Sequence, residues 1–154
     1  MRAAVLTIST TRARGQGEDV SGTALAELCR EAGLETVHHV LPDDRDAIAG
    51  ALRRLADEDD VRFVFTTGGT GMTGDDVTPE ATRDVIDREA PGYAETIRAE
   101  SRNHTPLGIL TRGVSGIRGR TLIINFPGSP NGVRQSWPVV EPTLKHAAAT
   151  LERD

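Results

Sequence analysis

A chain of 154 residues has the length of one domain, and folding at that size removes roughly 70% of the unfolded surface from water, enough for a sizeable core. A net charge of -5, with one Trp, one Tyr and three Phe, argues against a nucleic-acid surface, which needs clustered positive charge and stacking platforms. The single Cys excludes a disulfide within the chain, and no run of about 18 apolar residues or leader pattern occurs, so a cytoplasmic protein with a small-molecule partner and no membrane contact is expected.

The first element is a strand over Ala3 to Ser9, a short apolar run with β-branched residues, and Arg12 to Gly22 follows as a polar, Gly-rich loop. Ser21 reads as the N-cap of a helix whose Leu25, Leu28, Cys29 and Ala32 share an apolar face and which stops at Gly33. Cys29 is thus expected in the core. Glu35 to Leu41 reads as a second strand, on which the adjacent His38 and His39 point to opposite faces and cannot share a metal. Asp43 or Asp44 can cap the next helix, Arg45 to Asp57, whose Ile48, Leu52 and Leu55 lie on one side. Val61 to Thr67 has the β-rich character of a central strand, and Thr78-Pro79-Glu80 presents an N-cap, a Pro at the first helical position and an early acid.

Strands alternating with helices over the first 90 residues imply βαβ units: an α/β fold in three layers, with a mostly parallel sheet between helices. The pattern changes after Ser101. Leu107 to Ser115 and Arg120 to Phe126 look strand-like, so one of them is expected to pair antiparallel at an edge. Pro127 to Gly132 reads as a second tight loop, Val139 to Leu151 as a closing helix after Pro138, and Trp137 as a core residue.

Chemistry concentrates in Thr66 to Thr82, TTGGTGMTGDDVTPEAT. Gly68, Gly69 and Gly71 fall just beyond the third strand, at the edge where ligands of parallel sheets collect, and their missing Cβ atoms let backbone N–H groups approach an anion. The bland reading is a tight connection. A P-loop is ruled out because Asp75 stands where its Lys belongs. Gly69-x-Gly71-x-x-Gly74 matches the literal dinucleotide fingerprint, with Asp87 and Glu89 downstream, but it follows the third strand and is separated from its helix by Asp75-Asp76-Val77. Two acid pairs, Asp43-Asp44 and Asp75-Asp76, lie after strands. Hard carboxylate oxygens suit Mg²⁺, which takes one or two of them together with substrate phosphates; taken singly, each acid reads better as a cap or a solvated turn residue.

Thr66-Thr67-Gly68-Gly69-Thr70-Gly71 followed by Asp76-Val77-Thr78-Pro79-Glu80-Ala81-Thr82 resembles the signature of the molybdopterin adenylyltransferases, the MogA/MoaB type of molybdenum-cofactor proteins. The resemblance extends over nearly the whole chain, through Leu6-Thr7-Ile8-Ser9, Glu18-Asp19-Val20-Ser21-Gly22, Pro42-Asp43, Thr111-Arg112-Gly113 and Asn125-Phe126-Pro127-Gly128-Ser129-Pro130. It implies a single domain of this type over residues 1–154, in which Mg²⁺-ATP adenylylates the terminal phosphate of molybdopterin and pyrophosphate leaves. By the same resemblance Asp43 and Asp76 are the catalytic acids. Ser9, Ser21, Gly22, Thr67, Gly68, Gly69, Thr70, Gly71, Thr78, Pro79, Glu80, Pro127, Gly128 and Ser129 then bind the substrates. A homotrimer or hexamer and a molybdate-insertion protein as partner are implied as well. The alternative on the same fold is a non-catalytic molybdopterin-binding or scaffold protein. Two positions depart from the family's pattern: Thr10 follows Ser9 where the family commonly has Asp, and Asp75 precedes Asp76 where a basic or small residue is usual.

Overall fold

The computed structural model describes residues 1–153. One six-stranded sheet runs through it: β1 (Arg2–Ile8), β2 (Glu35–Leu41), β3 (Phe63–Thr67), β4 (Arg88–Glu89), β5 (Ser115–Arg118) and β6 (Thr121–Phe126). The order across the sheet is β2-β1-β3-β6-β5-β4. β2, β1, β3 and β6 are parallel, while β5 runs antiparallel to both β6 and β4, so the antiparallel edge is present. The helices are α1 (Thr10–Ala13), α2 (Val20–Glu31), α3 (Arg45–Asp57), α4 (Thr78–Arg83), α5 (Pro91–His104), α6 (Pro130–Val140) and α7 (Leu144–Leu151).

Alternation along the strands builds two cores. Ala3 and Val5 of β1, Phe63 and Phe65 of β3, and Leu122, Ile124 and Phe126 of β6 face a layer made by α2, α5, α6 and α7, where Leu25, Cys29, Ile97, Val133 and Leu144 are buried. Phe65 sits edge-on to both Phe126 and Trp137, with ring centroids 5.5 and 5.8 Å away. Ala4, Leu6, Ile8, Val64 and Ile123 point the other way, onto Ile48, Leu52 and Leu55 of α3 and Ala81 of α4. The sheet thus lies between helices on both faces, and Cys29 and Trp137 are core residues as expected. Burial pushes the Cys29 thiol up to about 12, so it stays a neutral packing group at neutral pH.

Several boundaries differ from the sequence expectation. Thr10–Ala13 is a helical turn, capped by Ser9, inside what reads as the first loop. Helix α2 is capped by Asp19, whose side chain accepts from the Gly22 N–H, so Ser21 belongs to its first turn and is not its cap. Thr78 is likewise the first residue of α4, not its cap. Leu107 to Ser115 is not a strand: Pro106–Leu110 forms a 3₁₀ helix capped by Thr105, and only Ser115 joins the sheet. Its apolar run misleads because Leu107 and Ile109 are mostly exposed and lie outside the two cores. The Pro127 to Gly132 loop is half helix, since Ser129 caps α6 and Pro130 opens it. Pro138 lies inside α6, and the expected closing helix breaks at Glu141–Thr143 into a 3₁₀ turn before α7.

Candidate active site

Parallel strands bring their C-terminal ends to one edge, so the segments after β1, β2, β3 and β6 become neighbours in the order fixed by the sheet. The Gly-rich loop lies between the loop after β1 and the loop after β6. Gly68 and Gly69 have φ of 98° and 68°, and a Cβ on either would collide, with the Ile8 carbonyl oxygen or the Thr78 hydroxyl respectively. Only glycine permits this backbone. The loop closes through Thr78, whose N–H donates to Gly69 O at 3.1 Å and whose hydroxyl donates to Gly68 O at 3.0 Å. Across the sheet, the Thr67 hydroxyl donates to Pro127 O at 2.6 Å and ties the loop to the segment after β6.

Two clefts flank the loop. A cavity of about 480 Å³ is lined by Ser9, Ser21, Thr67, Gly68, Gly69 and Gly128, with Thr7, Arg12, Glu18 and Asp19 completing its polar wall. A second, of about 350 Å³, is lined by Thr70, Gly71, Pro127 and Gly128 together with apolar Met72, Leu107 and Leu110. Both volumes are within the usual range for small-molecule sites, and Gly128 belongs to both clefts. The sequence-derived site residues are therefore brought together in large part. Gly22, Thr78, Pro79, Glu80 and Ser129 lie behind this lining. Gly22, Thr78 and Pro79 are buried, Ser129 caps α6, and Glu80 pairs with Arg112 at 2.9 Å.

Asp43 and Asp76 line neither cleft, and each secures a loop. Asp43 Oδ2 accepts from both Thr10 N and Thr10 Oγ1 at 3.0 Å, and Thr10 Oγ1 in turn accepts from Asp43 N, so the segments after β1 and β2 are joined. Thr10, the departure from the family's pattern, is the residue that holds the first acid. Asp76 Oδ2 accepts from Thr73 N at 3.0 Å and Thr73 Oγ1 at 2.8 Å, closing the turn of its own loop. Oδ1 of both acids accepts no hydrogen bond among the described residues. Asp44 caps α3, and Asp75 is exposed.

Sequence reasoning missed parts of this wall. Asp19 Oδ2 is 2.8 Å from His38 Nε2 and accepts from Thr7 Oγ1 at 2.6 Å, a knot between β1, β2 and the start of α2. The cue was the inward face of β2 shared by Thr36 and His38. Arg12, whose Nε donates to Glu18 O at 2.8 Å, is the cation of the larger cleft. As the first Arg after the first strand of a chain whose only Lys is Lys145, it was open to notice.

The model of the family described as "Probable molybdopterin binding domain" matches residues 4–146. The chain belongs to this family. A molybdopterin adenylyltransferase of Helicobacter pylori strain J99 is 39% identical over 145 residues, covering 92% of this chain and 82% of that protein. The Drosophila melanogaster molybdenum cofactor synthesis protein cinnamon is 39% identical over 152 residues, 97% of this chain, and the chain spans 25% of its length. Among solved structures, the molybdopterin biosynthesis enzyme MoaB of Thermus thermophilus superposes with a TM-score of 0.91 at 41% identity, covering 99% of this chain and 97% of that one. The family's α/β fold is thus shared, and the resemblance drawn from the loops holds for the chain as a whole.

Proposed function

We propose that the chain is a molybdopterin adenylyltransferase of molybdenum-cofactor biosynthesis, transferring AMP from ATP to the terminal phosphate of molybdopterin and releasing pyrophosphate. The observation that carries this reading is the pair of clefts, one polar and one apolar, sharing Gly128 across a loop whose glycines expose backbone N–H groups. Such an arrangement suits two ligands whose phosphates must meet. In the reaction a terminal phosphate oxygen of the pterin attacks the α-phosphorus of ATP, a new P–O bond forms, and the bond to the β-phosphate breaks. No side chain needs to act as nucleophile, so positioning and charge stabilisation carry the rate.

The residues fit a Mg²⁺ ion delivered with ATP. Among the described residues no three His, Cys, Asp or Glu side chains gather into a metal site, but Asp43 and Asp76 each keep Oδ1 unengaged, and Mg²⁺ with a nucleotide needs only one or two carboxylates beside the phosphates. Those two oxygens would hold the ion. When bound it neutralises phosphate charge at the reacting phosphorus. Arg12 adds a cation to the polar cleft, Ser9 and Ser21 present hydroxyls there, and the Gly68–Gly71 backbone offers N–H donors. Because ATP is the co-substrate, the reading implies a cytoplasmic protein, with a molybdate-insertion protein receiving its product. Exposed Met72, Leu107 and Leu110 border the apolar cleft, a surface that a neighbouring protomer of a homotrimer would cover, as sizing in solution would test.

The deciding experiment is pyrophosphate release from Mg²⁺-ATP with molybdopterin and purified protein. Turnover dependent on both substrates is expected. Tight pterin binding without pyrophosphate release would overturn the enzyme reading in favour of a scaffold.

A further inference from the structure

Asp76 belongs to a loop that strand pairing does not reach, since its turn at Thr73–Asp76 is closed only by its own short-range bonds. Two side chains from elsewhere reach that loop: the Thr111 hydroxyl, which donates to Thr70 Oγ1 at 3.4 Å, and the Arg112 guanidinium, which makes most of the contacts. Arg112 Nε donates to Gly71 O at 2.8 Å, and Nη2 donates to Asp76 O at 2.7 Å and to Glu80 Oε1 at 2.9 Å. Nη1 donates to Glu80 Oε2 at 3.2 Å, and the Arg112 backbone N–H donates to Thr70 O at 2.8 Å. The loop is therefore gripped at its start, at the acid and in the first turn of α4. Arg112 is itself braced, because Arg98 Nη1 on α5 donates to the carbonyls on either side of it, Thr111 O at 3.2 Å and Gly113 O at 3.0 Å. Below, buried Asn125 donates to Thr66 Oγ1 and Thr82 Oγ1 and accepts from Val114 N, joining β3, α4 and the segment that carries Arg112.

We propose that Arg112 is a positioning residue for the adenylyl transfer, a guanidinium clamp that sets where Asp76 and the Gly71 backbone stand when both substrates are bound. The inference rests on the adenylyltransferase reading for its catalytic consequence, though not for the clamp itself. Four guanidinium N–H donors are spent on four acceptor atoms of three separated residues, Gly71 and Asp76 in the loop and Glu80 in α4, an arrangement that needs a planar fork. Lysine, with one nitrogen on a flexible stem, cannot bridge Gly71, Asp76 and Glu80 together. Because four of the five Arg112 guanidinium N–H donors are engaged with the protein, its contribution to ground-state binding is small and its effect falls on kcat.

The test uses the full chain and the R112A and R112K variants, read by pyrophosphate release and by backbone hydrogen exchange. Expected for both variants is a kcat lower by about 30- to 100-fold with KM for molybdopterin within about threefold of the parent, since small misplacements of aligned groups cost rate before affinity. The amides of Thr73, Asp76 and Thr78 should exchange at least about tenfold faster in both, while those of α3 and β1 keep their protection. R112K, the milder change, decides the matter if R112A does not fold. Parent-like exchange at the three amides in R112K overturns the clamp, whatever happens to kcat. Faster exchange with kcat unchanged, in a parent protein that turns over, overturns the positioning role. If the parent itself shows no turnover, the adenylyltransferase reading falls and with it the catalytic half of the proposal, while the exchange result decides the clamp separately.

Discussion

Two turns at the same sheet edge carry adjacent acids, Asp43-Asp44 after β2 and Asp75-Asp76 beyond β3, and in each one acid secures a loop while its neighbour caps a helix or faces solvent. The difference lies in what they bind. Asp43 reaches across 33 residues to Thr10, joining segments that already leave paired strands, so its place is fixed by the sheet. Asp76 reaches only three residues, to Thr73, and closes a turn that the sheet does not hold. The same carboxylate chemistry is thus secured by topology at one site and by a single arginine at the other. A frame-fixed acid tolerates loss of a local contact, whereas a loop-borne one does not.

The largest effects should come from the acids themselves. Asn at either position keeps an oxygen for the Thr10 or Thr73 bonds but removes the charge, so D43N and D76N should each lower turnover by about 10²- to 10³-fold while pterin binding and melting temperature stay near the parent's. Steady-state pyrophosphate release with calorimetric titration of pterin checks this, and an unimpaired variant strikes that acid from the mechanism.

The next comparison separates the two supports. In T10V the backbone N–H still reaches Asp43, but both bonds of a partly buried hydroxyl between the loops are gone, so denaturant midpoints should report a loss of about 2 kcal/mol with little change in kcat. T73V removes an exposed bond, costs less than about 0.5 kcal/mol, and should lower kcat about tenfold because Asp76 swings with its turn. If the two variants behave alike, the distinction between frame-fixed and loop-borne acids is wrong.

How much of this was legible beforehand follows the same division. Glu35 to Leu41 and Arg45 to Asp57 emerge from the sequence with the boundaries they have in the fold, because periodicity and capping agree there. The glycines of the loop also announce themselves, since only a backbone that must approach something closely needs Gly68 and Gly69 together. Pro106–Leu110 and Pro130–Val140 mislead for opposite reasons: apolar residues in the first face solvent, and the Pro and Gly that suggest a turn in the second merely open a helix. Helix α5 was passed over, its apolar stripe reduced to Ala94 and Ile97 among buried residues. The clamp from Arg112 is tertiary, joining residues with no fixed spacing, so no pattern in one sequence exposes it, and of the knot of Asp19, His38 and Thr7 the sequence hints only at the inward face of β2 that His38 shares with Thr36.

Acid should open the loop-borne side. Hydrogen bonds from Arg112, then its positive charge, hold the Glu80 carboxyl below the ordinary glutamate range against some burial. Since the folded value is lowered, the stabilisation is complete above the unfolded glutamate value of about 4.3 and is lost as pH falls through the lower folded value. Exchange at Thr73 and Asp76, corrected for intrinsic rates, should rise a few-fold on acidification below about pH 4.3, and E80Q should weaken that dependence.

The smallest effects belong to the two silent partners, and they differ in kind. Asp44 accepts from the Ala47 N–H at 2.8 Å as the N-cap of α3, so D44A should lose about 1 kcal/mol of stability, seen as a melting temperature lower by about 2–4 °C, with turnover intact. Asp75 is exposed and makes no hydrogen bond among the described residues, so D75A should leave the melting temperature unmoved. Its charge nevertheless stands beside Asp76, where a nucleotide phosphate would be repelled. D75A should therefore lower KM for ATP by about two- to threefold at low ionic strength, an advantage that fades near 0.5 M salt as screening shortens to less than about 5 Å. A KM unchanged at every ionic strength would place the nucleotide away from this turn, and with it would go the case for Asp76 as the acid that meets ATP.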